Sequence, residues 1–418
     1  MLESYQFSCS SPSSRSAKHT SVVFLKTHKT ASSTVQNILF RFAERNNLTV
    51  ALPVPACDHQ FCYPQLFSTR FVYSQTIPPD IVTNHLRFSR SELRRIMPNN
   101  TIYITILREP GAMFESLFSY YSQYCESFRR VPNCSLEAFL DQPWAYYRPD
   151  EKDSMYARNT LTFDLGGDKD RSPADAATYA KRFAAEVERV FSLVMIAEYF
   201  DESLVLLRHR LSWDLEDLLY INQNMRSPSS KGNLSEAFTA KIRAWNSIDA
   251  VLYDHFNASL WRQLRELGLG CVAKEVQLLR RARDHVVRGC FGGSLPRMRS
   301  AKQIANKELR PWQPNSKVAI VGYELPLNAT NRSRMTQDMC MKMIMPELQY
   351  TSQLMRSQSL RYRSRLHFAA TQRLQKPLQN NRQYSGQSAI VWHTETSEKS
   401  SRTALQLFHL PAKLLSNN

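Results

Sequence analysis

Residues 21–42 read SVVFLKTHKTASSTVQNILFRF, and this stretch decides the fold. The apolar run Ser21 to Leu25 is short, β-prone and stopped at once by polar residues, so it predicts a buried strand. From Thr34 onward Val35, Ile38, Leu39 and Phe42 recur at helical spacing. The order is therefore strand, polar loop, helix. A loop in that position presents free backbone N–H groups and the positive end of a helix dipole, which together attract anions. Lys26, Thr27, His28, Lys29, Thr30, Ala31, Ser32, Ser33 and Thr34 make up this loop and the first helical turn. The small residues at 31–33 allow close approach of phosphate oxygens, the hydroxyls at 30 and 32–34 add donors, and Lys29 adds charge. The plain alternative is an ordinary helix capped near Ser33 or Thr34. Two lysines and four hydroxyls around one alanine favour the anion site. It is not a Walker A loop, because both glycines of that motif are missing.

A second unit of the same kind follows. Thr101 to Leu107 is strongly β-prone, Arg108-Glu109-Pro110-Gly111 breaks it, and Met113, Phe114, Leu117, Phe118 and Tyr121 form the next amphipathic helix. Arg108 thus stands at a strand end, with Ser116 eight residues on inside the helix. Arginine binds phosphate bidentately, and a nearby serine hydroxyl can share the same group. Two anion sites on neighbouring strand ends suit a 3′,5′-bisphosphonucleotide. Ser192 to Ala197 predicts a third strand, followed by a helix through Leu204 and Leu207. Alternating strands and helices indicate an α/β fold with a mostly parallel central sheet flanked by helices. Residues 215–288 read as mainly helical, with Val272, Val276, Leu279 and Val286 on one face and Lys274, Arg280, Arg281, Arg283 and Arg288 around the rest.

The chain has 418 residues, 43% of them apolar, enough for a sizeable core. Only 11 are glycine, which excludes glycine-rich low-complexity classes. The net charge is +17, and the stretch from Thr351 onward holds 10 Lys/Arg against Glu395 and Glu398. A basic body suits an anionic ligand. The expected organisation is a disordered lead-in at 1–20, one catalytic domain at 21–355 and a basic, disordered tail at 356–418. The eight cysteines show no CxxC pair, so no zinc site is expected; Cys57/Cys62 and Cys125/Cys134 are spaced for local disulfides. Seven glycosylation sequons, at Asn47, Asn99, Asn133, Asn233, Asn257, Asn328 and Asn331, favour a lumenal chain. Yet no run of 18 apolar residues exists, and residues 1–20 lack the apolar stretch of a signal peptide.

Beyond these local readings, the chain resembles the galactose-3-O-sulfotransferase family, which includes galactosylceramide and glycoprotein galactose sulfotransferases, and is nearest the glycoprotein type. The stretches that carry the resemblance are FLKTHKTASST (24–34), NHLRF (84–88), ITILREP (104–110), FESLFSYY (114–121), FDLG (163–166), EYFDESLVLL (198–207), HFNASLW (255–261), PWQP (311–314) and MPELQY (345–350). The resemblance implies the P-loop-like sulfotransferase fold and 3′-phosphoadenosine-5′-phosphosulfate (PAPS) as co-substrate, with no metal required and no nucleic acid as partner. It implies a 5′-phosphosulfate loop at Lys26–Thr34, a 3′-phosphate site at Arg108 and Ser116, and a galactose-terminated glycan as acceptor. Lys29 and His85 then become the catalytic pair, the lysine at the leaving phosphate oxygen and the imidazole as general base. His28, beside the donor phosphates, ranks second as base. Members carry a type II membrane anchor before the loop, absent from this sequence, so the resemblance implies the lumenal face of the Golgi membrane while the chain as written is expected to stay cytosolic. Two other readings are a nucleotide-dependent kinase, disfavoured by the missing Walker glycines, and an inactive glycan-binding relative, disfavoured by the intact loop, Arg108 and Ser116.

Overall fold

The three apolar runs pair as parallel strands: β1 (Val22–Leu25), β3 (Ile102–Leu107) and β4 (Leu193–Ile196). With the short β2 (Ile81–Val82) they form a sheet of order β2-β1-β3-β4. Val23 lies opposite Val82, Leu25 opposite Thr105 and Leu107 opposite Ile196. Every strand residue except Ile102 is buried. Helices cover both faces of such a sheet, which is why these strands are continuous apolar runs and not alternating ones. The computed structural model describes residues 9, 17–227, 234–315, 318–326 and 334–379. The rest of the lead-in, the sequons at Asn233, Asn328 and Asn331, and the tail from 380 lie outside the described residues.

The helix after β1 is α1 (Ser32–Arg45); Val35, Ile38, Leu39 and Phe42 are buried, as their spacing predicts. The helix after β3 is α2 (Pro110–Tyr121), with Pro110 in its first turn and the Glu109 carboxylate accepting from the Ala112 N–H at 2.9 Å. The helices α3 (Thr160–Asp164) and α4 (Pro173–Glu188) precede β4, and α5 (Phe200–Leu211) follows it. Three longer helices come next: α6 (Glu236–Trp245), α7 (Ser247–Leu267) and α8 (Leu269–Cys290). Helix α7 packs on α4 and α8 on α5. In α8, Val272, Val276 and Leu279 are buried; of its basic residues, Arg280 pairs with Asp201 and Arg283 with Asp284.

Three features depart from the sequence expectations. A second, antiparallel sheet of order β5-β7-β6 is built from β5 (Met225–Arg226), β6 (Arg299–Ser300) and β7 (Ile320–Gly322), pieces too short to leave a period. The stretch expected to be an irregular tail begins inside a helix: α9 (Arg334–Ile344) is followed by α10 (Glu347–Gln379). Cys57 and Cys62 are bonded, but Cys125 and Cys134 are free, Cys125 being fully buried and Cys134 on a partly exposed turn. Two long-range disulfides, Cys9–Cys271 and Cys290–Cys340, take their place. The described residues up to Ser364 form one compact unit. Among the described residues no helix is long and apolar enough to cross a membrane.

Helix α3 is only five residues long and is held from outside. The buried Asp249 carboxylate of α7 accepts from the Leu161 N–H at 2.9 Å, the Thr162 N–H at 2.8 Å and the Thr162 hydroxyl at 2.7 Å. Replacing it by Ala strands three buried donors, each costing about 1–3 kcal/mol. Asp249→Ala is expected to lower unfolding stability by about 3 kcal/mol or more. Asp249→Asn, which keeps one acceptor, should lose less; the urea midpoints of the two variants check this order.

Candidate active site

Three neighbouring parallel strands end on the same edge of the sheet. There β2 runs into Thr83-Asn84-His85, β1 into the 26–31 loop, and β3 into Arg108. In open parallel sheets this carboxyl edge is where ligands bind. A cavity of about 1310 Å³ opens on it. Lys26, His28 to Thr34, His85, Arg108 and Ser116 all line this cavity, and of the residues singled out from sequence only Thr27 does not.

The loop is shaped by its own hydroxyls. Thr27 Oγ donates to the Ile106 carbonyl at the end of β3, and Thr30 and Thr27 hydroxyls meet at 2.8 Å. Ser32 Oγ donates to the Thr27 carbonyl at 2.6 Å. Thr34 Oγ accepts from the Gln223 N–H at 3.0 Å. Most of the hydroxyls expected to meet phosphate thus fix the turn. They hold Lys29 and Ala31 in left-handed conformations, at φ 59° and 64°, which cost non-glycine residues about 1–2 kcal/mol each. Ala31 is the residue before α1, and among the described residues no side chain caps that helix. The Thr34 N–H turns back to the Ala31 carbonyl at 3.0 Å, which leaves the N–H groups of Ser32 and Ser33 for a ligand.

Cations converge beside the loop. Lys29 Nζ sits 3.7 Å from the centre of the Tyr120 ring. Arg108 Nη1 donates to the Lys29 carbonyl at 3.1 Å. Arg226, at the end of β5, pairs with Glu115 of α2 through two contacts, one at 2.9 Å. Desolvation, then the positive charges of Arg226, Lys26 and Arg108, pushes Lys29 down to about 7. Burial likewise lowers the Arg108 guanidinium.

The two histidines stack, with ring centres 4.0 Å apart and planes 12° from parallel. His85 Nδ1 lies 2.8 Å from the Lys26 carbonyl, which only accepts, so Nδ1 carries the proton and the lone pair is on Nε2. Lys26 Nζ donates to that Nε2 at 2.7 Å. Burial, then the charges of His28, Lys26 and His59, holds His85 well below the ordinary imidazole range. His28 is 1% exposed, and its Nδ1 meets the buried Asp164 carboxylate at 2.9 Å. Among the described residues its enclosed Nε2 has no hydrogen-bond partner. Tyr63 O–H donates to the same carboxylate at 2.8 Å, and Tyr121 stacks on Tyr156 at 3.6 Å beside His28. Of the two imidazoles, His85 is the more open to the cavity.

Arg226, Glu115, Asp164 and Glu347 belong to this site and were not predicted from sequence. Three of them lie in stretches already singled out, Asp164 in FDLG, Glu347 in MPELQY and Glu115 in FESLFSYY. Gly166 gives a physical reason for the first: its φ is +85°, and a Cβ there would stand 2.5 Å from the Phe88 carbonyl oxygen. Arg226 carries no such signal, because its β-strand is two residues long. Among the described residues the one cluster with metal-ligand character is Cys9, His209 and Glu275, and its sulfur is already bonded to Cys271.

The family model described as galactose-3-O-sulfotransferase matches residues 2–358. Galactose-3-O-sulfotransferase 3 of Mus musculus is 58% identical over 346 residues, covering 82% of this chain and 79% of the relative. The Homo sapiens protein of the same name is 57% identical over 82% of this chain and 79% of its own. Galactosylceramide sulfotransferase of Homo sapiens is 40% identical, over 80% of this chain and 77% of its own.

Two measurements test the cation cluster. Anions bind the protonated form of Lys29, so affinity for adenosine 3′,5′-bisphosphate should be highest below pH 7 and fall as pH rises through about 7. Lys29→Met should bind weakly throughout and lose that pH dependence, as read by calorimetry. Arg108→Ala should raise the dissociation constant at least about tenfold, the cost of one charge-assisted hydrogen bond.

Proposed function

The chain belongs to the galactose-3-O-sulfotransferase family, and from that premise we propose that it transfers the sulfuryl group of PAPS to the 3-hydroxyl of a terminal β-galactose on glycoproteins or glycolipids. The observation that carries the reading is the convergence of a cation-lined, uncapped strand–helix loop and a neutral imidazole on one cavity. The loop and Lys29 take the 5′-phosphosulfate, and Arg108 with Ser116 takes the 3′-phosphate. Arg226, beside both, adds charge to the donor end. The cavity volume of about 1310 Å³ leaves room for a sugar next to the nucleotide.

The acceptor oxygen attacks sulfur in line with the bridging oxygen of the donor. An S–O bond forms to the sugar as the S–O bond to the 5′-phosphate breaks. The acceptor proton goes to His85 Nε2, and the leaving phosphate oxygen is stabilised by Lys29 and the N–H groups at the start of α1. His28, held by Asp164 and stacked on His85, fixes the plane of the base. The Golgi lumen is the compartment we infer. Three disulfides, and sequons exposed at Asn47, Asn99 and Asn133, suit an oxidising, glycosylating lumen.

Transfer of radiolabel from PAPS to N-acetyllactosamine tests the activity directly; no sulfated product would overturn it. Lys29→Ala should lower the rate by about 10²–10³. His85→Ala should lower kcat by about 10²–10⁴ with donor affinity little changed. The wild-type acidic limb should lie below about pH 6.5, because a depressed imidazole stays unprotonated as pH falls past its ordinary value. His28→Ala should reduce kcat but keep an acidic limb. If His28→Ala abolishes the limb and His85→Ala does not, the base is His28.

A further inference from the structure

Glu347, the first residue of α10, places a carboxylate inside a site otherwise built for anions. Its Oε2 lies 3.0 Å from Lys26 Nζ and accepts from Ser33 Oγ at 3.2 Å. Lys26 is 2% exposed and Glu347 16%, so water screens this pair little. Burial alone would raise the carboxyl, but the charge of Lys26 and its hydrogen bond hold Glu347 below the usual range, so it is ionised at neutral pH. The same Lys26 ammonium also donates to His85 Nε2 at 2.7 Å. One cation therefore links a carboxylate on one side to the imidazole lone pair on the other.

Two consequences follow from these three contacts. The first concerns the donor. Lys26 and Ser33 are both groups of the phosphosulfate loop, and a carboxylate already satisfies them. A donor that uses either must displace Glu347 or accept like-charge repulsion at close range, which acts strongly in a site shielded from water. The second concerns the base. An imidazole nitrogen whose lone pair accepts from an ammonium cannot take a proton from a sugar hydroxyl. Lys26 has to leave Nε2 before His85 can act, and an arriving phosphosulfate is the anion that would draw it away.

We propose that Glu347 is a positioning residue: it holds the Lys26 ammonium on His85 Nε2 and fills the bonding places of Lys26 and Ser33 until the donor takes them, so that donor binding uncaps the base. The assignment rests on the reading of the 26–34 loop as the donor site and His85 as the base. Its distinctive consequence is a gain. Removing a carboxylate that merely supports the fold weakens ligand binding or leaves it alone, whereas removing one that competes with the donor strengthens binding. The order of addition follows too, with the donor first and the glycan second.

The test uses adenosine 3′,5′-bisphosphate as the donor-site probe, titrated by calorimetry into the full chain. Glu347→Gln keeps the side-chain shape and removes the charge, and it should bind the probe about tenfold more tightly than wild type. Equal or weaker binding overturns the proposal. Arg108→Ala, run in parallel, separates this failure from that of the underlying reading. If Arg108→Ala binds normally, the cavity is not the donor site; if it binds weakly while Glu347→Gln gains nothing, only the role of Glu347 falls. A second measurement needs no variant. In wild-type protein labelled with ¹⁵N-histidine, the His85 Nε2 resonance should move toward that of an imidazole nitrogen without a donor when the bisphosphate is added. An unmoved resonance in protein saturated with the probe overturns the release step.

Discussion

The parallel pairing of β1 between β2 and β3 is the constraint on which the rest depends. Because the strands run the same way, their carboxyl ends deliver His85, the 26–31 loop and Arg108 to one edge. The register is fastened by more than ladder bonds. Thr105 Oγ donates to the Leu25 carbonyl at 2.9 Å, and the Thr27 hydroxyl reaches the Ile106 carbonyl, so the strand ends are tied to each other where the chain leaves the sheet. A slip of one residue would turn Lys26 and Thr27 to opposite faces and separate the loop from His85.

At that edge the chemistry is a matter of balancing charge in a poorly hydrated space. Lys26, Lys29, Arg108 and Arg226 lie close enough for their charges to act on one another. Carboxylates offset part of this: Glu115 holds Arg226 and Glu347 holds Lys26. Among the described residues neither Lys29 nor Arg108 has a carboxylate at salt-bridge distance, and Lys29 is the ammonium pushed down to about 7. A cation without such a partner is the kind most stabilised by an arriving anion, and Lys29 is also the one proposed for the leaving phosphate. Asp164 does comparable work for His28, where a buried carboxylate orients a ring that in turn stacks on His85.

Much of this is legible in the sequence, for reasons that differ by residue. The runs at 22–25, 102–107 and 193–196 are legible because strands buried on both faces are apolar throughout. The 26–34 loop is legible because strand, polar turn and helical period follow one another without a gap. β2 and β5 are not, since two residues cannot display a period. Gln358 of α10, expected in the tail from 356, escapes because its role is set across the chain, where it pairs with the Val50 backbone at 2.7 and 3.0 Å; Glu347 lies inside the expected domain, but its contact with Lys26 is equally long-range and leaves no local pattern. The hydroxyls of the loop are visible as residues but not as roles. Whether a threonine faces a phosphate or its own backbone depends on φ at Lys29 and Ala31, which composition does not report.

That last point bears on why this loop works without glycine. A glycine-rich phosphate loop reaches left-handed conformations at no steric cost. Here Lys29 and Ala31 adopt them against a steric penalty, and the network of Thr27, Thr30 and Ser32 offsets it by bonding the turn to itself and to β3. The turn is thus rigid for a different reason: it is cross-linked by side chains instead of being free to bend. A cross-linked turn cannot follow a ligand, so adjustment to the donor has to come from longer side chains around it. Lys26, whose ammonium already reaches both His85 and Glu347, is the long side chain placed to make that adjustment under the proposed donor role.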